Sequence, residues 1–161
     1  MPKAFANAAA VRAPSALPSF WSSGEATFRG YLCIVTRIIA GFAGSLALTV
    51  PDSGTRPTSD HVREALFSAL ESRDAIQDAR VVDLYAGSGA LGLEAASRGA
   101  AAVTLVERAA SAARACRDNT ARILRNAPAG SAPRIAVAVQ AVQSFLDTSA
   151  AIWDLALIDP P

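Results

Sequence analysis

The chain has 161 residues, 52% hydrophobic and 18% charged, which suits one domain with a packed core and excludes wholesale disorder. A net charge of +1 leaves no bulk electrostatic footprint for nucleic acid, so such a partner has to be argued from motifs. Cys33 and Cys116 have no metal or redox spacing and suit a reducing cytosol, and His61, the single histidine, cannot build a histidine-rich metal site.

Residues 1–34 mix Ala, Pro, Ser and scattered aromatics without a period, and Glu25 is their only acid. A disordered tail and an acid-poor targeting segment both fit. The favoured reading starts the natural chain at Val35, because bacteria can initiate at valine codons and V-T-R-I-I-A-G opens like a domain. Residues 1–34 are then an extension or upstream translated sequence, and 35–161 form the domain. Residues 38–50 are largely apolar, too short to span a bilayer and without a cleavage-like sequel, so no membrane role is expected. Gly41 and Gly44 divide them into two short strands of a hairpin. Thr58, Ser59 and Asp60 are candidate N-caps of a helix whose spacing buries Val62, Ala65, Leu66, Ala69 and Leu70. Arg56 and Arg63 then lie exposed near its start, as solvated charges on spacing alone.

Residues 81–100 organise the rest. Val81, Val82 and Leu84 read as a buried parallel strand with Asp83 inside it. Gly87, Gly89 and Gly92 follow at G-x-G-x-x-G spacing and open a helix that stops at Arg98-Gly99. Such a turn lets backbone approach a ligand and offers free N–H groups at the helix start. A second strand at 102–106 ends at Glu107, 20 residues beyond Gly87, where a carboxylate can accept both ribose hydroxyls. A ribose-bearing cofactor is the first expectation; a tight turn without a ligand is the plain alternative.

Residues 109–125 read as a helix with arginines on its wet side, 135–139 as a third strand ending at Gln140-Ala141, 142–146 as a short helix, and 153–158 as a fourth strand. Strand–helix alternation implies a parallel sheet with right-handed crossovers and a ligand at the carboxyl ends of the strands. Asp159-Pro160-Pro161 follows the fourth strand. Two prolines hold one carboxylate and nearby carbonyls rigidly, and such acceptors can grip an exocyclic amine. With S-adenosylmethionine in the glycine-turn site, that is methyl transfer to nitrogen; a simple turn is the other reading of these three residues.

Over residues 35–161 the sequence resembles the RsmD-type bacterial 16S ribosomal RNA guanine-N2 methyltransferases. The resemblance is carried by R-I-I-A-G from Arg37, T-R-P-T-S-D-x-V-R-E-A-L-F from Thr55, D-L-Y-A-G-S-G-A-L-G-L-E-A-x-S-R-G-A from Asp83, Val106-Glu107 and Asp159-Pro160-Pro161. It implies an α/β class I, Rossmann-like methyltransferase fold with an N-terminal β-hairpin. The implied cofactor is S-adenosyl-L-methionine. The implied partner is 16S ribosomal RNA in the small subunit or its assembly intermediate, in the cytoplasm, with no metal and a monomeric complete protein. By position, Asp83, Ala86, Gly87, Ser88 and Gly89 would hold the methionine moiety, Glu107 the ribose, and Gln140 and Ala141 the adenine. Thr58 would flank the cofactor. Asp159, Pro160 and Pro161 would form the catalytic motif on the guanine amine, and Arg37, Arg56 and Arg63 would meet RNA.

Four departures accompany the resemblance. Gln140 stands where the family usually has aspartate, His61 where arginine is usual, and residues 42–45 lack the hairpin's basic residues. The aromatic expected after Pro161 and the remaining sheet strands are absent. This chain is therefore expected to be a truncated methyltransferase, inactive alone and prone to aggregate through an uncovered fourth strand. Three other functions stay open. They are a DNA adenine or protein glutamine amino methyltransferase, an NAD-dependent oxidoreductase, and a non-catalytic binding fragment.

Overall fold

A computed structural model describes residues 36–50 and 59–161. The extension at 1–34, the Val35 start, Cys33, Arg56 and Thr58 fall outside the described residues.

Short β-branched runs alternate with helical segments, and every run pairs in parallel. Helix α1 (Asp60–Glu71) precedes β1 (Arg80–Leu84), α2 (Ala90–Ser97), β2 (Ala102–Val106), α3 (Ala110–Leu124), β3 (Arg134–Ala138), α4 (Val142–Thr148) and β4 (Leu155–Ile158). The strands form one parallel sheet in the order β3-β2-β1-β4. The chain lays β2 and β3 on one side of β1 and then crosses to its other side for β4, so the strand order reverses at β1. Leu84 lies opposite Val106 and Ile158, and Val106 lies opposite Ala138. All four strands end level. Tyr85, Glu107, Val139 and Asp159 therefore form a row at the carboxyl end of the sheet.

Side-chain alternation sorts the two faces. Val81, Val103 and Leu105 join Leu93 of α2, Cys116 and Ile123 of α3 and Phe67 of α1 in the larger core cluster. Val82, Leu84 and Val106 join Phe145 of α4 in the smaller one, where the Trp153 ring lies 5.4 Å from that of Phe145. Helix α2 ends as its sequence announces. Gly99 adopts φ 110°, the Ala100 N–H donates to the Ala95 carbonyl, and the Gly99 N–H donates to that of Ala96. Among the described residues no helix is long and apolar enough to cross a membrane.

The hairpin expected over residues 38–50 forms as a tight turn with one isolated antiparallel bridge, Arg37 to Ala47, instead of two strands. Beyond Ile38, whose N–H donates to the Leu46 carbonyl across the turn, its first arm spends its N–H groups elsewhere. The Ile39 and Ala40 N–H groups donate to the Glu94 carboxylate at 2.7 and 3.0 Å, and those of Phe42 and Ala43 donate to the Ser97 carbonyl and Oγ. Gly41, at φ 79°, lies so close to the Ser97 backbone that a Cβ would overlap it. Glu94 is fully buried and also accepts from Arg98 Nε at 2.6 Å. Arg98 pairs in turn with Glu71 at 3.0 Å and covers the Phe67 ring. One buried carboxylate thus ties the turn, α2 and α1 together.

Helix α1 corrects two expectations. It begins at the expected cap, Ser59, whose hydroxyl accepts from the Val62 N–H. Its inward face carries Arg63, Phe67 and part of Leu70, however, while Val62 and Leu66 are 57% and 40% exposed. Arg63, expected in solvent, is 1% exposed. Its Nη2 donates to the Arg37 carbonyl and to Asp60 Oδ1, both at 2.7 Å, and this lets the guanidinium go inside. The inward stripe lies one residue, or about 100°, round the helix from the one that apolar spacing suggests.

Candidate active site

The β1–α2 turn is built by two left-handed glycines. Gly87 adopts φ 57° with open space where a Cβ would point, and Gly89 adopts φ 84° as the N-cap of α2. Gly92 has a different task. A Cβ there would run into Leu105, Val103 and Asp83, so this third glycine seats the helix against the sheet and does not face a ligand. Gly89 is likewise buried, with its N–H donating to the Ala86 carbonyl. The turn is propped from below by α3. Cys116 Sγ donates to the Gly87 carbonyl at 3.1 Å, and Asn119, fully buried, clamps Thr49 through both its amide groups and donates to the Ser88 carbonyl at 2.9 Å. Burial pushes the Cys116 thiol up to about 12, so it remains a neutral donor.

A cleft of about 930 Å³ opens over this turn at the carboxyl ends of the strands. Asp83, Ala86, Gly87 and Ser88 line it from β1 and the turn. Glu107 reaches it from β2, Gln140 and Ala141 from β3, and Asp159, Pro160 and Pro161 from β4. Of the residues expected there and described, only Gly89 is missing from the wall. Arg37 and Arg63 separate. Arg37 is exposed, pairs with Asp60 at 3.1 Å and stays off the cleft wall; Arg63 lines the cleft from behind. The Arg63 contact holds the Asp60 carboxyl below the usual carboxylate range, with partial burial opposing it.

Three carboxylates set the electrostatics. Asp83 is 1% exposed; its Oδ2 accepts from the Gly92 N–H at 2.8 Å, and its Oδ1 has no partner among the described residues. Burial pushes its carboxyl up to about 7, the Gly92 N–H opposes that rise, and the charges of Asp159 and Glu107 add to it. Glu107 is aimed by two backbone donors, Gly87 N–H to Oε2 at 3.0 Å and Ala109 N–H to Oε1 at 2.7 Å. Each oxygen keeps a second lone pair for a further donor.

Sequence reasoning missed several parts of this wall. Tyr85 lines the cleft with a non-glycine φ of 67°, a backbone conformation that costs about 1–3 kcal/mol and clusters at functional sites. Its only sequence signal is its place, directly before the turn. Thr36, Arg108 and Gln143 also line the cleft. Asn119 had no local signal, because its partners lie 70 and 31 residues away.

A family model described as Conserved hypothetical protein 95 matches residues 36–161. The chain is 40% identical over 126 residues to ribosomal RNA small subunit methyltransferase D of Escherichia coli (strain K12), across 78% of this chain and 59% of that protein. It is 47% identical over 72 residues to the Haemophilus influenzae protein of the same name, across 44% and 36% respectively. The solved structure of the Escherichia coli protein yhhF, described as a methyltransferase, superposes with a TM-score of 0.66 at 38% identity, covering 79% of this chain and 64% of that one. A Pyrococcus horikoshii structure described as an RNA methyltransferase shares the fold at 22% identity, with a TM-score of 0.57 over 71% and 55% of the two chains. The chain thus spans 59% of the length of the Escherichia coli relative.

Proposed function

Because this chain belongs to the family described as Conserved hypothetical protein 95, the RsmD-type group, we propose that it acts in methyl transfer from S-adenosylmethionine to the exocyclic N2 amine of a guanine in small-subunit ribosomal RNA. The substrate in this reading is 16S RNA within the small subunit or its assembly intermediate, met in the cytoplasm. The observation that carries it is the convergence of Asp83, Glu107 and Asp159 on one cleft over a glycine-rich turn. Three carboxylates suit a nucleoside that bears a sulfonium and an ammonium, and they oppose the pyrophosphate of a dinucleotide. The unpartnered, buried Asp83 Oδ1 fits the same group, since an ammonium would supply the missing donor.

When bound, the cofactor supplies an electrophilic methyl group on a sulfonium. The protein's part is binding and orientation. Asp83 would accept from the ammonium, and Glu107, held by the Gly87 and Ala109 N–H groups, would accept from the ribose hydroxyls. Gln140 and Ala141 border the adenine, with the Gln140 carbonyl oxygen able to accept from its amine. Asp159 and the carbonyl of Pro160 would accept the two guanine amine N–H groups and so orient the amine nitrogen as the nucleophile. The Asp159 carboxylate then takes the proton that the amine loses. Positioning of this kind is worth up to about 7–11 kcal/mol of the barrier.

The test is incubation of the chain with labelled S-adenosylmethionine and small subunits from a strain lacking its own enzyme, with the modified nucleoside read by mass spectrometry. N2-methylguanosine in 16S RNA, abolished by Asp159→Ala, is the product this reading calls for, and its appearance would also overturn the expectation that the chain is inactive alone. Label on adenine, on DNA or on protein glutamine would overturn the reading.

A further inference from the structure

Besides Asp83 Oδ1, two buried groups on the cleft wall have no hydrogen-bond partner among the described residues: Thr36 Oγ1, and Arg63 through Nε and Nη1. Nothing in the proposed chemistry uses them. A guanidinium has five N–H donors, and Arg63 Nη2 is spent on the Arg37 carbonyl and Asp60, so the three on Nε and Nη1 go unanswered. Its ion-pair partner Asp60 is shared with Arg37. A buried cation with open donors is costly until an acceptor meets it.

We infer that Arg63 and Thr36 form an anion subsite that holds the carboxylate of the methyl donor's amino-acid moiety. The inference rests on the methyl-donor reading above. An α-amino acid carries an ammonium and a carboxylate on one carbon. This cleft wall carries an unpartnered acceptor, Asp83 Oδ1, and unpartnered donors, Arg63 and Thr36. An RNA phosphate is the poorer match, since Arg63 is sealed inside the wall, whereas a backbone phosphate stays hydrated at a rim. Arg63 therefore moves from the RNA contacts, where its sequence position put it, to the cofactor.

The test is calorimetric titration of the full chain at pH 8 with S-adenosylmethionine and with its decarboxylated analogue, which keeps the ammonium, sulfonium, ribose and adenine and loses only the carboxylate. Wild type is expected to favour the carboxylated ligand by roughly 10- to 100-fold, the worth of a hydrogen bond to a charged group. Arg63→Gln is expected to bring the two affinities within about threefold, and Arg63→Lys to restore part of the preference. Thr36→Val removes a hydroxyl that bonds nothing in the protein, so it tests the subsite without threatening the fold; it is expected to cut the preference by about three- to tenfold. If Thr36→Val and any folded Arg63→Gln protein keep the wild-type ratio, the inference is overturned and the methyl-donor reading stands. Loss of RNA affinity alone in Arg63→Gln would overturn it in favour of a phosphate contact. A wild type that binds neither ligand overturns the methyl-donor reading and this inference with it.

Discussion

Replacing Glu94 by alanine is expected to destabilise the protein by about 3–5 kcal/mol, the usual cost of breaking a buried ion pair from one side. The carboxylate is fully buried and answers three donors at once, the N–H groups of Ile39 and Ala40 and Nε of Arg98. Alanine leaves two backbone donors and part of a buried guanidinium without acceptors, while the Arg98–Glu71 contact survives. A domain of this size has only about 5–15 kcal/mol in total, so the urea midpoint should fall by roughly a fifth or more. Glu94→Gln keeps the shape and one acceptor oxygen and is expected to cost about 1–3 kcal/mol. A Glu94→Ala unfolding free energy within about 1 kcal/mol of wild type would show that the turn at 37–47 is held by something else.

Binding of S-adenosylhomocysteine is expected to weaken as pH falls through 7, and Asp83→Asn to remove that dependence. Asp83 has to be ionised to hold an ammonium, and in the free protein its carboxyl is pushed up to about 7. Below that value ligand binding has to expel a proton, so affinity falls nearly tenfold per pH unit, roughly 30-fold between pH 8 and pH 5.5. Folding stability of the free protein runs the opposite way. A carboxyl whose folded value exceeds its ordinary 3.8 contributes stability that is full below 3.8 and lost as pH rises through about 7. The free wild type should therefore melt lower at pH 8 than at pH 6, and saturating ligand should abolish the difference, because the bound protein and the unfolded chain both carry the ionised carboxylate. Asp83→Asn should bind about 10- to 100-fold more weakly at pH 8, with an affinity flat across this range. An unchanged pH slope in that variant would place the titrating group elsewhere.

The parts of this molecule that were legible in advance are those with local causes. Strand β1 announced itself by β-branched residues, the turn by its glycines, the end of α2 by Gly99, and Glu107 by its distance from Gly87. The parts that were not legible depend on partners far along the chain. Arg63 looked exposed because an arginine near a helix start normally is; only the Arg37 carbonyl, 26 residues away, makes its burial tolerable. The first arm of the hairpin looked like a strand because Gly41 and Gly44 divide an apolar run into two short pieces, but Glu94 and Ser97 compete for its N–H groups from 54 or 55 residues away. The candidate site shows the same division. Residues just beyond each strand, Tyr85, Glu107, Gln140 and Asp159, gather on one cleft because the strands end level, which the parallel pattern implies. Thr36 joins them through the turn docked on α2, which no spacing in the sequence records.

The measurement that bears most directly on the account is calorimetric titration of the full chain at pH 8 with S-adenosylhomocysteine and, separately, with NAD, in wild type and Glu107→Ala. Saturable binding of S-adenosylhomocysteine alone is expected, weakened roughly 10- to 100-fold by the substitution, which removes the ribose acceptor. Binding of NAD in its place, or S-adenosylhomocysteine binding that Glu107→Ala leaves unchanged, would contradict a cation-selective nucleoside cleft built on Asp83, Glu107 and Asp159.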